Sequence, residues 1–256
     1  MIRHLRAGLL VAALLGRTAL AEPEPRPPQL ACVERHFAVT ASLVDGSWRV
    51  HADGVDTAWR RPGPTRAFSA TLDDPDVADM FVERYPGPGP IQPVTTVDSD
   101  PGRIRVESLF RAAYPKKGLE RVTFFGHPIQ VHQKAAPSLA RVAARLLAVA
   151  EQPQVKLFLA TLGGGYNDRM IAGTQRRSAH AFGLAIDLNP KPSHYWRWEK
   201  GGWKNAVPQS IVDAFEAEGW AWGGRWYHFD TMHFEYRPEL FDSNCQLPEN
   251  LSRARP

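Results

Sequence analysis

Ser178-Ala-His-Ala-Phe-Gly-Leu-Ala-Ile-Asp187 is followed, 43 residues after its last aspartate, by Asp230-Thr-Met-His-Phe-Glu235. Together the two stretches place two imidazoles and two aspartate carboxylates where three of these four groups could hold a zinc ion. A catalytic zinc site needs three protein ligands and one open position, and mixtures of His and Asp satisfy that need. The pattern therefore predicts a zinc site in which the fourth group is left free to act as a base.

The first stretch is expected to form a turn followed by a short strand. Gly183 allows a backbone turn at positive φ. Side chains alternate along a strand, so Asp187 should face away from the apolar side. That apolar side would be formed by Leu184, Ile186 and Leu188. We therefore expect Asp187 to point into a cavity, and an exposed face of an edge strand is the alternative.

The second stretch places a structural demand on the backbone. On a regular strand Asp230 and His233 would point to opposite faces, so both can approach one ion only if the chain turns between them. We expect Asp230 at the end of a loop and His233 inside a strand. Glu235 shares the face of His233 and is expected to hydrogen-bond to its imidazole and fix its orientation.

His180-x-x-Gly-x-Ala-x-Asp187, together with Ser178 and Asp230-x-x-His233-Phe-Glu, resembles a family of bacterial and phage cell-wall enzymes. These are the zinc D-alanyl-D-alanine carboxypeptidases and L-alanyl-D-glutamate peptidases. The flanking residues agree with this resemblance: Arg169-x-Ile-Ala-Gly-Thr174 and Gly219-Trp-Ala-Trp-Gly-Gly224. The second motif has aspartate where the vancomycin-resistance branch of the family has glutamate, which favours the endopeptidase and carboxypeptidase branch.

The resemblance implies a role for each matched residue. One Zn²⁺ ion would be held by His180, Asp187 and His233. Asp230 would be the general base, which takes a proton from water and passes it to the leaving amine. Arg169 would bind a substrate carboxylate or stabilise the oxyanion.

Four further residues are predicted to support the ligands or to contact the substrate: Ser178, Glu235, His228 and Trp222. Ser178 would orient a ligand by hydrogen bonding, or serve only as a turn residue. His228 would line the cleft, although an exposed loop histidine is the favoured alternative. We expect at least half of the tryptophans between Trp196 and Trp226 to lie in the core and the others in the cleft wall.

The implied activity is hydrolysis of an amide bond in peptidoglycan stem peptides, either in the polymer or in muropeptides. Removal of terminal D-alanine is the favoured reaction. Cleavage between L-alanine and D-glutamate is the alternative within the family. A wall-binding module without catalysis is the alternative from another class.

Residues 1–21 fit the three parts of a secretory signal peptide. Arg3 and Arg6 precede a short apolar run from Ala7 to Gly16, which is too short to span a bilayer. Ala19-Leu-Ala21 follows as the small-x-small cleavage signal. We therefore expect a periplasmic or extracellular mature chain without a transmembrane segment. Its 28 basic and 27 acidic residues give a net charge of +1, so there is little reason to expect a nucleic-acid partner. No feature indicates an oligomer.

Export also permits a disulfide bond between the only two cysteines, Cys32 and Cys245, because disulfides persist in oxidising compartments. Such a bond would close most of the mature chain into one loop. A lipidated Cys32 is the rival interpretation.

Helices and strands interleave without a β-α-β rhythm, so the sequence predicts an α+β fold. We expect a small antiparallel sheet that carries the zinc site, flanked by helices, with an N-terminal mixed extension. The predicted segments are a signal peptide (1–21), a Pro-rich linker (22–31), an N-terminal mixed region (32–130), a zinc peptidase domain (131–247) and a C-terminal tail (248–256). The predicted helices are Asp76–Tyr85, Arg103–Ala113, Ala135–Ala150 and Pro208–Glu218, and the predicted strands are Val155–Leu162, Leu184–Leu188 and Met232–Tyr236.

Overall fold

A computed structural model describes residues 25–52, 54–60 and 67–248 of the chain. The predicted signal peptide and residues 249–256 of the predicted tail lie outside the described residues. Within the described ranges, no helix combines the length and the apolar character needed to cross a membrane.

The helices of the described residues are α1 (Gln29–Phe37), α2 (Phe68–Asp73), α3 (Glu107–Ala113), α4 (Ala136–Leu147), α5 (Pro153–Leu159) and α6 (Gln209–Glu216). The strands are β1 (Thr40–Val44), β2 (Ser47–Ala52), β3 (Val55–Ala58), β4 (Leu119–Phe124), β5 (His127–His132), β6 (Ala185–Asp187), β7 (Trp220–Trp222) and β8 (His233–Tyr236). They form three antiparallel sheets in the orders β1-β2-β3, β4-β5 and β6-β8-β7. The predicted α+β class with a small antiparallel sheet is confirmed.

The sheet β6-β8-β7 carries both sequence motifs. Its central strand β8 pairs with β6 so that Asp187 lies opposite His233. The aliphatic residues on the other face of β6 are fully buried: Leu184, Ile186 and Leu188. The side chain of Asp187 keeps 17% of its surface exposed. The alternation expected from the sequence is therefore present, and it brings Asp187 beside His233.

Helix α6 covers the apolar face of this sheet. It begins after Pro208 and is followed by Gly219, whose φ is +80°, as expected from these two residue types. Phe215 of α6 stacks on Phe234 of β8 with ring centroids 4.1 Å apart. Because Phe234 and His233 are neighbours on a strand, this packing leaves His233 on the opposite face.

The strand predicted over Val155–Leu162 is wrong, because these residues belong mainly to α5. Pro153 occupies the first turn of this helix, where its missing N–H would have no partner anyway. The buried residues recur at helical spacing: Val155, Phe158 and Leu159. Leu157, in contrast, is 50% exposed, so the apolar run is amphipathic rather than continuously buried.

The helix predicted over Asp76–Tyr85 shortens to one 3-10 turn, Ala78–Phe81. The following residues, up to α3, cross to the sheet β6-β8-β7. Tyr85 Oη donates to Glu216 Oε1 (2.5 Å) and accepts from the backbone N–H of Trp222 (2.8 Å). These contacts anchor the N-terminal region on the part of the fold that carries the motifs.

The predicted domain boundary at residues 130 and 131 falls inside β5. The main hydrophobic core draws residues from both sides of that boundary, including Phe110 and Phe182, whose ring centroids are 5.6 Å apart. The two predicted parts, residues 32–130 and 131–247, therefore share one core, and their separate roles stay a prediction.

A disulfide bond joins Cys32 in α1 to Cys245, with the two Cα atoms 5.2 Å apart and both side chains fully buried. The sequence separation of 213 residues makes the closed loop a long one. In the chain-entropy model, long loops lose the most conformational entropy in the unfolded state when they are closed.

We expect the double substitution Cys32→Ser and Cys245→Ser to lower the free energy of unfolding by about 2–5 kcal/mol. Urea denaturation of the mature protein measures this change. Addition of a reductant to the unsubstituted protein should produce the same loss. Equal unfolding midpoints for the two proteins under oxidising conditions would show that the bond contributes nothing.

Candidate metal centre

Three side chains from the two motifs converge, because His180, Asp187 and His233 each offer a ligand atom within 4.8 Å of the others. His180 Nε2 lies 3.2 Å from Asp187 Oδ2, and His233 Nδ1 lies 2.9 Å from Asp187 Oδ1. The two imidazole nitrogens are 3.2 Å apart. Ligand atoms around a tetrahedral zinc ion with bonds of about 2.0–2.1 Å are about 3.3 Å apart. The two imidazole nitrogens have this spacing, and each lies near one carboxylate oxygen of Asp187, so the three side chains suit one zinc ion in chemistry and in proximity.

His180 is held by a 3-10 turn, Ala179–Phe182, that both flanking residues shape. The hydroxyl of Ser178 accepts from the backbone N–H of His180 (3.4 Å). Gly183 ends the turn at a φ of +68°, and a Cβ there would lie 2.7 Å from the backbone nitrogen of His132. Only glycine fits this close approach at positive φ.

The run Gly163-Gly-Gly165 holds two of the candidate ligands, a role that the sequence analysis missed. His180 Nδ1 donates to the carbonyl oxygen of Gly165 (2.6 Å). The backbone N–H of Asp187 donates to the carbonyl oxygen of Gly164 (2.9 Å). A Cβ at Gly163 would lie 2.8 Å from Asp187 Cβ. The three glycines were the available signal, because glycine in an extended segment marks close backbone approach.

His233 follows the turn that the motif spacing demanded. Its backbone N–H donates to the carbonyl oxygen of Asp230 (3.2 Å). Its Nε2 lies 3.2 Å from Glu235 Oε2, which leaves Nδ1 directed at Asp187. Both imidazoles thus have one nitrogen at the metal position and the other on an oxygen acceptor. This second contact fixes the tautomer and ring orientation of a ligating histidine.

Glu235 is almost completely buried and lies among three cationic side chains. Its carboxylate contacts Arg105 NH1 (3.2 Å), Arg237 NH1 (2.9 Å) and His233. Burial raises the pKa of Glu235, but Arg105, His233 and Arg237 together bring it well below its usual range. A buried carboxylate needs such partners, and neither arginine was predicted from the sequence.

The charges around the three donor atoms favour a cation. Burial lowers the pKa of His233, but its hydrogen bonds to Asp187 and Glu235 raise it to about 10. Burial raises the pKa of Asp187, whereas His180 and His233 lower it below the usual carboxyl range. The surroundings that hold a proton on His233 and a negative charge on Asp187 are equally suited to a divalent metal ion.

Asp230 lies beside the three donor atoms and lines one hollow with Asp187 and His233. Its Oδ1 is buried and has no hydrogen-bond partner among the described residues. Burial and repulsion from Asp187 raise the pKa of Asp230 to about 6. A carboxylate with a free oxygen at this place can accept a proton from a molecule in the hollow.

The hollow has a volume of about 290 Å³. Arg169 lies on its wall, and the aromatic residues that line it are Tyr195, Trp196, Trp198 and Trp226. The neighbouring Asp168 forms ion pairs with Lys116 and Arg177.

Residues 172–236 match a family model described as D-alanyl-D-alanine carboxypeptidase. The matched segment contains all three candidate ligands and Asp230. Over these residues the chain is similar to this peptidase family. Arg169 lies three residues before the match begins. No curated protein and no solved structure matches the chain.

The structure places Trp222 and His228, two of the residues predicted to support the ligands or to contact the substrate. Trp222 cannot touch a substrate, because it is fully buried and its Nε1 donates to the carbonyl oxygen of Thr231 (2.9 Å). It supports the turn between Asp230 and His233 instead. His228 is not an exposed loop histidine: it lines the hollow, and its Nδ1 lies 2.6 Å from Asp100 Oδ2.

A second group of metal-ligating residue types lies away from the peptidase motifs: Cys32, His36, Asp242 and Cys245. Its two cysteines are joined to each other. The thiolate is the form of cysteine that binds metals. The disulfide therefore leaves the peptidase motifs as the candidate metal centre.

We expect His180→Ala and His233→Ala each to abolish tight zinc binding. Glu235→Gln should weaken zinc binding about 10–100-fold, because Glu235 orients a ligand without touching the ion. Competition with a chromophoric chelator measures these affinities. His51→Ala, which removes a histidine from β2, is the matched control and should bind zinc normally. Normal zinc affinity in His180→Ala would contradict the assigned centre.

Proposed function

We propose that the chain is an exported zinc metallopeptidase that removes terminal D-alanine from peptidoglycan stem peptides. The proposal depends on one observation: donor atoms of His180, Asp187 and His233 lie close together, and Asp187 and His233 line one hollow with Asp230. The family match over residues 172–236 supports the substrate class. The predicted signal peptide supports it as well, because peptidoglycan lies outside the cytoplasmic membrane.

Zinc held by these ligands would act as a Lewis acid and lower the pKa of water. Asp230 would take the proton from the attacking water at its unpartnered Oδ1 and return it to the leaving amine. The contact to Glu235 would keep Nδ1 of His233 directed at the ion, and the contact to the carbonyl oxygen of Gly165 would do the same for Nε2 of His180.

Arg169 would bind the terminal carboxylate of the substrate or stabilise the oxyanion. Its position supports this role, because it lines the hollow and its positive charge lowers the pKa of Asp230 against the larger effect of burial. A guanidinium can grip a carboxylate with two parallel hydrogen bonds. A carboxylate group at the end of the substrate is what distinguishes a carboxypeptidase from an endopeptidase, so this arginine favours the former.

Two other functions are alternatives to the carboxypeptidase, and each would give a different product pattern. Cleavage between L-alanine and D-glutamate would use the same metal centre on a different bond. A non-catalytic wall-binding module would keep the fold and bind peptidoglycan without changing it. The presence of three ligands and a free carboxylate beside them favours catalysis over the module.

Mass spectrometry of products from defined tri-, tetra- and pentapeptide stems tests the reaction. We expect the zinc-loaded protein to convert the pentapeptide into the tetrapeptide with release of one D-alanine. Removal of the metal with a chelator should stop the reaction, and added zinc should restore it. Release of L-alanine would identify the endopeptidase, and unchanged stems with retained wall binding would identify the module.

We expect Asp230→Asn to keep its zinc and to lose kcat about 10²–10⁴-fold, because the amide cannot act as a general base. Zinc content and the rate of D-alanine release are measured on the same preparation. Asp213→Asn, an equivalent change on α6, is the control and should retain the normal rate. Near-normal hydrolysis by Asp230→Asn would show that another group is the base.

A further inference from the structure

A second hollow adjoins the metal centre and has a volume of about 620 Å³, within the usual range for ligand sites. Arg103 and Arg105 line both hollows, so the two share a wall. Arg105 also connects them chemically, because it binds Glu235, which in turn contacts His233. The larger hollow therefore lies next to the place where a peptide bond would be cut.

Arginines dominate the described lining of this second hollow: Arg103, Arg105, Arg176 and Arg177. Only two acidic residues line it, Asp73 and Glu107. Glu107 is already engaged by Arg111 and Arg177, and the side chain of Asp73 is 74% exposed. Carboxylates outside the lining pair with three of the arginines: Asp100 with Arg103, Glu235 with Arg105 and Asp168 with Arg177. Arg176 has no such further partner among the described ion pairs.

Arg176 is the cation of this wall that has the weakest protein partners. Its contact with Asp73 is a 3.5 Å ion pair to an exposed carboxylate. That contact is made by Nε, which is buried and has no hydrogen-bond partner among the described residues. A buried guanidinium nitrogen without an acceptor is costly, and an anionic ligand would remove that cost.

The arginines of this hollow also destabilise one another. Burial, followed by the positive charge of Arg103, lowers the pKa of Arg176. Burial and the charges of Arg237, Arg103 and Arg176 lower the pKa of Arg105 to about 10, against the opposing effect of Glu235. Such mutual repulsion is relieved when a negative charge enters the space between the cations.

The backbone places this wall in a fixed relation to the metal centre. The backbone N–H of Ile171 donates to the carbonyl oxygen of Arg176 (2.8 Å), and that of Arg176 donates to Thr174 Oγ1 (3.2 Å). Two residues after Arg176 the chain reaches Ser178, which begins the turn that carries His180. An anion held by Arg176 would therefore be held at a set distance from the candidate ligands.

We propose that this arginine-lined hollow is a second substrate subsite, which binds a carboxylate of the stem peptide remote from the cleaved bond. The inference rests on the peptidase function proposed above and adds the requirement for an acidic peptide. Arg169 would hold one carboxylate beside the metal centre, and Arg176 with Arg103 would hold another. Substrates with a free carboxylate at that place would bind more tightly than their amides.

Two synthetic pentapeptide stems, L-Ala–γ-D-Glu–L-Lys–D-Ala–D-Ala with the α-carboxylate of D-Glu either free or amidated, test this proposal. Their binding to the zinc-loaded full chain is measured by calorimetry in the Asp230→Asn background, so that hydrolysis does not limit the measurement. Arg176→Gln is introduced into that background. Arg176→Lys keeps the charge, and Arg121→Gln removes an arginine from β4, outside the lining of either hollow.

We expect the free acid to bind about 10–100-fold more tightly than the amide, the range for a charge-assisted contact. In Arg176→Gln the ratio of the two affinities should fall close to one. Arg176→Lys should keep a reduced preference, and Arg121→Gln the full preference. Equal affinity for the two peptides, no binding of either, or an unchanged ratio in Arg176→Gln would overturn the subsite.

Hydrolysis of the same two peptides is also measured with the protein that retains Asp230. This measurement distinguishes a failure of the subsite from a failure of the proposed carboxypeptidase activity. A preference in binding without release of D-alanine would retain the subsite and reject the carboxypeptidase. Release of D-alanine from both peptides, with equal affinity for the two, would retain the carboxypeptidase and reject the subsite.

Discussion

The pairing of β6 with β8 is the constraint on which the candidate centre depends. Its register sets Asp187 directly opposite His233, and a slip of one residue would turn one of them to the apolar face. Stacking of Phe215 on Phe234 covers that apolar face, so the hydrophobic core fixes the register. Packing on one face of the sheet thereby positions Asp187 and His233 on the other face.

Glu235 extends this constraint into the rest of the chain. It contacts His233 within β8, but its two other partners are Arg237 and Arg105, and Arg105 comes from the N-terminal region. Removal of one member of such a buried group leaves an uncompensated charge. The N-terminal region therefore contributes to the site itself, since Asp100 also holds His228 in the wall of the hollow.

The local features of the site could be predicted from sequence because they depend on neighbouring residues. The strand alternation around Asp187 and the turn between Asp230 and His233 both follow from spacing alone. Contacts between distant segments were harder to predict. The glycine run signals a close backbone approach without identifying His180 as its partner, and no sequence pattern places Arg105 beside Glu235. Trp222 was predicted either to support a ligand or to contact the substrate, and its complete burial in the fold leaves the supporting role.

The central claim is that one zinc ion is bound by His180 through Nε2, by Asp187 through its carboxylate and by His233 through Nδ1. Anomalous diffraction from zinc-loaded crystals, recorded on both sides of the zinc absorption edge, tests this directly. We expect one peak, within about 2.0–2.2 Å of all three donor atoms, with Asp230 beside it and not bound to it. A zinc peak elsewhere in the molecule, or coordination of His233 through Nε2, would contradict the account.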